Sequence, residues 1–123
     1  MTSLWRKLLQ LILRRPRPAD GRIAVKGKVI TLFENGKSVS RIALDDIRKI
    51  DAYKIDEWTT DLICFDIHTE QNGERAVHTL HEDLPGFNDL MESLKQLPGF
   101  DATWPEKVIQ PPFDENRTVI FER

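Results

Sequence analysis

The first part of the chain alternates apolar and polar residues with the period of a helix. From Leu4 to Arg15, seven apolar side chains share one broad arc at about 100° per residue, and most of the basic residues share the other. Pro16 and Pro18 end the pattern, so it predicts a basic amphipathic helix and the start of a linker within residues 1–18. The side chains expected to contact a membrane or a docking surface are Leu4, Trp5, Arg6, Lys7, Leu8, Ile12 and Arg14.

The middle of the chain alternates with a period of two, which predicts strands. Asn35-Gly36 and Asn72-Gly73 separate neighbouring strands, and both pairs favour type I′ hairpin turns because the central residues of that turn need φ > 0. The polar residues between the fourth and fifth strands predict a loop. The predicted strands cover residues 22–26, 28–34, 37–44, 47–55, 62–69, 75–80 and 118–121.

Apolar residues recur at helical spacing after the second hairpin. Pro85 suits the first turn of this helix and Pro98-Gly99 ends it. Thr103 and Glu106 have the spacing of a capping box for a second, short helix up to Ile109. The stripe on the first helix consists of Phe87, Leu90, Met91, Leu94 and Leu97. We expect Leu90, Met91 and Leu94 to be buried against Ile63, Phe65 or Ile67.

Strands followed by a helix predict an α+β fold, with an antiparallel sheet or partial barrel covered by a C-terminal helix. The 123 residues, of which 40% are apolar and 31% charged, fit one domain over residues 22–123 that buries its own core. The single cysteine, Cys64, excludes an internal disulfide and indicates a reducing compartment, which points to the cytoplasm. No apolar run approaches the roughly 20 residues that span a bilayer.

The net charge of −2 hides a division along the chain. Residues 1–18 carry five basic residues and no acidic one, which leaves 13 basic and 20 acidic residues in the remainder, a net charge of −7. A basic segment beside an acidic body suggests that the segment has a role of its own. The acidic body argues against nucleic-acid binding, which requires a basic face for the phosphates.

The N-terminal segment leaves two interpretations open. A signal peptide fits poorly, because Gln10 interrupts the apolar stretch, Arg14-Arg15 follow it directly and no small-residue cleavage site comes after. In the first interpretation, the helix docks on its own domain or on a second copy of the chain in a homodimer. In the second, it lies on an anionic membrane with Trp5 at headgroup level, which would place the protein at the inner membrane through weak, reversible contact.

Few residues could support catalysis or bind a metal. His78 and His81 are three residues apart, so on a continuous strand they point to opposite faces and do not converge on a zinc ion. We expect both to be solvent-exposed at a strand end. Cys64 lies in the most apolar strand without a basic neighbour in sequence, which predicts an inert thiol in the core or on a sheet face. The sequence therefore predicts no catalytic residue, no metal and no cofactor, and we expect that the chain is not an enzyme.

The segment from Asp45 to Glu70 is the strongest remaining feature. It contains eight acidic and three basic residues, and Trp58 lies among them in the predicted loop. An aromatic residue in a charged loop can anchor a partner. In the competing interpretation, Trp58 folds back over an open sheet end and the acids only solvate the surface. The partner-binding residues predicted here are Asp56, Glu57, Trp58 and Asp61.

Residues 22–123 also contain several distinctive short motifs. They are Ala52-Tyr53-Lys54-x-Asp56, Thr59-Thr60-Asp61-x-Ile63, Pro85-Gly86-Phe87-x-x-Leu90, Leu97-Pro98-Gly99, Trp104 and Pro112-Phe113-x-x-Asn116-x-Thr118. Together they resemble a group of small uncharacterised bacterial proteins, and the resemblance implies no activity. The step Ile42-Ala43-Leu44-x-Asp46-Ile47-x-x-Ile50 resembles bacterial pleckstrin-homology-like domains, which implies a bent antiparallel sheet closed by a C-terminal helix. This chain departs from that plan by continuing after the helix.

These patterns favour a non-catalytic protein-interaction module in the bacterial cytoplasm, with a weak contact of the N-terminal helix to an anionic membrane as an open alternative. Its partner would be another protein, and the acidic surface favours a basic one, because opposite charge speeds encounter. The alternative function is an immunity-type inhibitor that blocks a basic toxin by electrostatic complementarity. A small hydrolase that uses His78 or His81 has the weakest support.

Overall fold

A computed structural model describes residues 21–56, 60–111 and 114–123. This part of the chain contains seven strands, a 3₁₀ turn and two helices. The predicted helix at residues 4–15 lies outside the described residues. None of the described helices is long and apolar enough to cross a membrane. The strands are β1 (Arg22–Lys26), β2 (Val29–Glu34), β3 (Lys37–Ala43), β4 (Ile47–Asp56), β5 (Asp61–Gln71), β6 (Glu74–His81) and β7 (Thr118–Glu122); the helices are α1 (Phe87–Leu94) and α2 (Trp104–Val108), and the 3₁₀ turn is Leu44–Asp46.

The strands form two antiparallel sheets. In the three-stranded sheet, β1, β2 and β3 are neighbours in chain order. In the four-stranded sheet the order is β6-β5-β4-β7, so the last strand returns after both helices to pair with β4. The prediction of an α+β fold built on antiparallel sheet is therefore confirmed. Among the described residues, the two sheets do not close into a barrel.

Both predicted hairpin turns are present. Asn35 and Gly36 have φ angles of 54° and 75°, and Asn72 and Gly73 have φ angles of 53° and 81°. Asparagine tolerates the left-handed conformation that a type I′ turn requires, and glycine adopts it without steric cost. These two turns set the registers of the β2–β3 and β5–β6 hairpins.

The core is formed by side chains of both sheets and both helices. Phe65 of β5 is fully buried and meets Trp104 of α2 edge-on, with ring centroids 4.9 Å apart. Leu90 and Leu94 of α1 are also fully buried in the same cluster, which confirms the predicted core face of that helix. Met91 is only partly buried at the edge of the core, and α1 is shorter than its apolar stripe predicted.

The start of α2 differs from the predicted capping box. Thr103 precedes the helix, but its hydroxyl and its backbone N–H both donate to Asp101 Oδ1, the N–H at 2.9 Å. Asp101 accepts both hydrogen bonds because its short side chain reaches the backbone two residues further along the chain. Hydrogen bonds from Lys107 and from Thr103 also lower the pKa of Asp101 to about 2.

Gly86 lies where the start of α1 comes closest to β1. The backbone N–H of Ile23 donates to Pro85 O at 2.8 Å, and this pairing brings the carbonyl of Ile23 against Gly86. A Cβ at position 86 would lie 1.9 Å from Ile23 O, and Gly86 has a φ of 91°. Glycine is therefore required here both for its backbone conformation and for its lack of a side chain.

We predict that Gly86→Ala destabilises the protein more than Gly99→Ala. Both glycines have positive φ, which costs an L-residue about 1–2 kcal/mol. Only Gly86 also faces a backbone atom, since nothing lies within 4 Å of a Cβ built on Gly99. The difference in unfolding free energy between the two variants, measured with urea, reports the close contact between α1 and β1. Equal losses of unfolding free energy would contradict that approach.

Leu94→Ala should lower the unfolding free energy by about 2–5 kcal/mol, because a truncated core leucine leaves a cavity that its surroundings fill only in part. Met91→Ala is the matched control on the same helix, and it should cost less because Met91 is only partly buried. Urea midpoints report both effects. A Leu94→Ala midpoint equal to that of the wild type would show that this helix face is not in the core.

Candidate interaction surface

The four-stranded sheet presents different side chains on its two faces. Ile50 and Ala52 of β4, with Phe65 and Ile67 of β5, belong to the core, and both helices contribute to that same core. Because side chains alternate along a strand, their neighbours point to the opposite face, which we call the open face. The open face carries Asp51, Tyr53, Cys64, Asp66, His68, Val77, Thr79 and Val119, joined by the side chain of Arg117.

Asp66 is the hydrogen-bonding centre of the open face. Its Oδ1 accepts from the Tyr53 hydroxyl at 2.9 Å and from Thr79 Oγ1 at 2.8 Å. Its Oδ2 accepts from Arg117 Nη1 at 3.0 Å. The carboxylate therefore ties together β4, β6 and the residue that precedes β7.

Arg117 links this centre to a second carboxylate. Its Nη1 lies 3.4 Å from Asp51 Oδ2, and its guanidinium stacks over the Tyr53 ring with the central carbon 3.9 Å from the ring centroid. His68 Nε2 lies 3.2 Å from the same Asp51 oxygen, and Lys49 Nζ lies 3.8 Å from Asp51 Oδ1. Two cations, Arg117 and Lys49, thus pair with the nearly buried Asp51, as a buried charge requires.

Burial and hydrogen bonding act in opposite directions on the Asp66 carboxyl. Burial raises its pKa, but the hydrogen bonds from Thr79, Arg117 and Tyr53 outweigh burial and leave the pKa below its ordinary value. Burial and the hydrogen bond to Asp66 both raise the pKa of the Tyr53 hydroxyl well above its ordinary value. At neutral pH, the open face therefore holds an ionised Asp66 next to a protonated Tyr53 and a charged Arg117.

The end of the open face towards the β4–β5 hairpin is apolar. Tyr53, Leu62 and Cys64 form a small buried cluster, and Ile55 packs against it. The Cys64 thiol is buried, with Sγ 3.8 Å from Leu62 O, which confirms the prediction of a sheet-face cysteine. The open face therefore combines a fixed ion-pair cluster with an apolar end.

Two of the four predicted partner-binding residues are described, and they meet at the end of this hairpin. Asp56 and Asp61 are cross-strand partners. Asp61 Oδ2 lies 3.5 Å from the ammonium of Lys54, a side chain that is only 2% exposed. Glu57 and Trp58 lie outside the described residues. A partner-binding role for the four residues stays a prediction, and Asp61 also has a structural contact that the sequence pattern did not indicate.

Lys54 and Asn116 hold the segment that leads from α2 back to β7. Lys54 Nζ donates to Ile109 O at 2.6 Å and to Pro111 O. Asn116, with a φ of 48°, donates through its side-chain amide to Pro111 O at 3.2 Å and to two neighbouring carbonyls. This segment ends at Arg117, so the two anchors position the guanidinium over the open face. Sequence reasoning missed both roles, although a lysine at a core-facing position of β4 was a visible signal.

The structure separates the two histidines as predicted but changes their expected environment. His78 pairs with core-facing Ile67 and His81 with Cys64, so they occupy opposite faces of β6. The expectation that both are solvent-exposed is wrong, since both are partly buried. His78 Nδ1 lies 3.1 Å from Ser40 Oγ because β3 approaches β6 there. Burial lowers the pKa of the His78 imidazole. The described part of the chain contains no group of three or more His, Cys, Asp or Glu that could hold a metal ion.

Folding changes the charge balance that the sequence indicated for the segment from Asp45 to Glu70. Its excess of acidic residues includes Asp51 and Asp66, and both pair with Arg117 from outside the segment. The ion pairs leave less uncompensated negative charge on the open face than a count along the chain suggests.

Comparisons with known proteins give no relative: no family model, curated protein or solved structure matches the chain. The two sequence resemblances stay predictions.

Arg117→Met should move the titration of the Asp66 carboxyl to higher pH, because a donor that lowers its pKa is removed. Carboxyl carbon NMR measures this shift, and Asp101, whose pKa depends on Lys107 and Thr103 instead, is the internal control. In the wild type, the depressed pKa contributes stability above the unfolded value of about 3.9 and loses it as pH falls through the folded value. The variant should therefore lose less unfolding free energy on acidification. An unmoved Asp66 titration would contradict the ion pair.

Proposed function

We propose that the chain is a non-catalytic protein-interaction module that binds a protein partner through the open face. The observation that carries the proposal is a sheet face on which charged and aromatic groups are fixed in position while the helices pack on the other side. Val77 and Val119, at opposite flanks of this face, are 57% and 46% exposed. An exposed face with apolar flanks and a central arginine has the composition of a protein–protein contact.

The ionised state of the Asp66 carboxylate supports binding rather than catalysis. Asp66 accepts three hydrogen bonds, and these hold its pKa below the ordinary value. A general acid or base works best with a pKa near the operating pH, so a carboxylate held ionised is poorly suited to proton transfer. Fixed ion pairs are well suited to recognition, because they cost little further ordering when a partner binds.

Arg117 is the residue expected to contribute most to the contact. Its side chain is 40% exposed although it is held by Asp51, Asp66 and the Tyr53 ring. An arginine held in this way presents its remaining donors to a partner carboxylate or carbonyl in a fixed orientation.

The immunity-type inhibitor is the second candidate, and the net charge of −7 over the chain beyond residue 18 favours it. A basic toxin would be attracted by this charge, and its association rate would fall steeply with salt. A toxin gene directly beside the gene for this chain would favour this candidate over the general interaction module.

A pleckstrin-homology-like relationship and a cytoplasmic location are part of the same proposal. Two antiparallel sheets followed by a helix are compatible with a pleckstrin-homology-like relationship, although β7 follows the helices and pairs with β4. A cytoplasmic location, with the N-terminal segment at the inner membrane as the alternative, rests on the single cysteine and on the basic character of residues 1–18.

Site-specific photo-crosslinking of the full chain, in the cells that produce it, tests the proposal. A photoreactive residue at Val77 or at Val119 should capture the same protein, because both side chains flank one face. The control is Gln96, which is exposed just after α1 on the helix side of the molecule. Equal capture from Gln96, or different proteins from the two valines, would contradict binding through the open face.

A further inference from the structure

A cleft opens where the two sheets diverge. Strands β3 and β6 are edge strands of different sheets, and they meet through the side chains of Ser40 and His78 rather than as a ladder. Next to this contact the strands enclose a cleft of about 480 Å³. Its lining includes Gly21, the first residue that the structure describes.

The lining of the cleft is mainly apolar. Leu80 is buried at its base, and Leu32 and Leu84 are partly buried where they pack against the core. Val39 lines the cleft and is 55% exposed. Phe33 also lines it and carries the Arg22 guanidinium over its ring, 3.9 Å from the centroid. A contiguous apolar groove of this kind gains free energy when an apolar surface covers it.

The chain supplies a matching surface immediately upstream. The sequence of residues 4–15 places seven apolar side chains on one arc of a helix. The connection to Gly21 is formed by residues 16–20, which extend at most about 18 Å. This short connection keeps residues 4–15 within reach of the cleft at high effective concentration.

Charge complementarity favours the same occupant. Two exposed acidic residues, Glu34 and Asp83, line the cleft, and the one lysine or arginine in its described lining, Arg22, has its guanidinium over the Phe33 ring. Residues 1–18 carry five basic residues and no acidic one. The volume of the cleft admits several side chains but not a whole helix. The apolar arc would therefore enter the cleft, and the basic arc would stay in solvent next to the acidic residues.

We propose that this cleft binds residues 4–15 of the same chain. The apolar arc packs on Leu32, Val39 and Leu84, and the basic arc faces Glu34 and Asp83. The proposal goes beyond partner binding, because it assigns a second surface, which adjoins the open face at Thr79. Its consequence is that the N-terminal segment must leave the cleft before it can lie on a membrane or on a second copy of the chain.

Photo-crosslinking of the purified full chain tests the intramolecular contact. A photoreactive residue at Val39 should react with residues 4–15 of the same molecule, identified by mass spectrometry of an isotopically mixed sample. Val77 is the matched control, because its exposed fraction is close to that of Val39 and it lies on the open face. Products from Val39 to another part of the chain, products that join two isotopic forms, or equal reaction from Val77 would overturn the proposal.

A second measurement uses variants of the full chain without a probe. Val39→Asp should release residues 4–15 and speed tryptic cleavage after Arg6, Lys7 and Arg14 by about tenfold, because a docked segment is cleaved only when it opens. Val77→Asp should leave the rate unchanged. Equal rates in the wild type and Val39→Asp would overturn the proposal. Since no partner is needed, this result is independent of the photo-crosslinking in cells.

Discussion

The register of strand β4 is the constraint on which the rest of the structure depends. The strand is hydrogen-bonded to β5 on one side and to β7 on the other, so a shift would break two ladders. Its alternation places Ile50 and Ala52 in the core and Asp51 and Tyr53 on the open face. A slip by one residue would exchange these sets and bury carboxylates without their cations. The composition of the core and that of the open face thus both depend on the register of β4.

The return of the chain from α2 to β7 couples the core side of the sheet to the open face. Lys54 points to the core side, where an unpaired ammonium would be costly, and the carbonyls of Ile109 and Pro111 satisfy it. Asn116 holds the same segment, and the next residue, Arg117, reaches the carboxylates on the other face. A recognition surface built in this way is ordered by the fold itself, which reduces the entropy that a partner must remove.

Local chemistry explains which parts of the structure could be predicted from the sequence. The Asn-Gly turns and the apolar stripe with Leu90 and Leu94 depend on neighbouring residues, and they were predicted correctly. The pairing of Arg117 with Asp66 joins positions far apart in the chain, so no local pattern could reveal it. The exposure of His78 was predicted wrongly for the same reason, because its partial burial depends on the approach of β3 to β6. The predicted site residues Glu57 and Trp58 lie outside the described residues.

The two proposals together predict which side chains solvent reaches in the isolated chain. The open face stays free, and residues 4–15 cover the cleft. In the described residues, Val39, Val77 and Val119 are 55%, 57% and 46% exposed, so they form a matched set. A neutral gadolinium chelate added to the full chain relaxes methyl groups in proportion to their contact with solvent. We expect strong relaxation of the Val77 and Val119 methyl groups and weak relaxation of those of Val39. Strong relaxation at Val39 with protection of Val77 and Val119 would place the N-terminal segment on the open face and contradict both assignments.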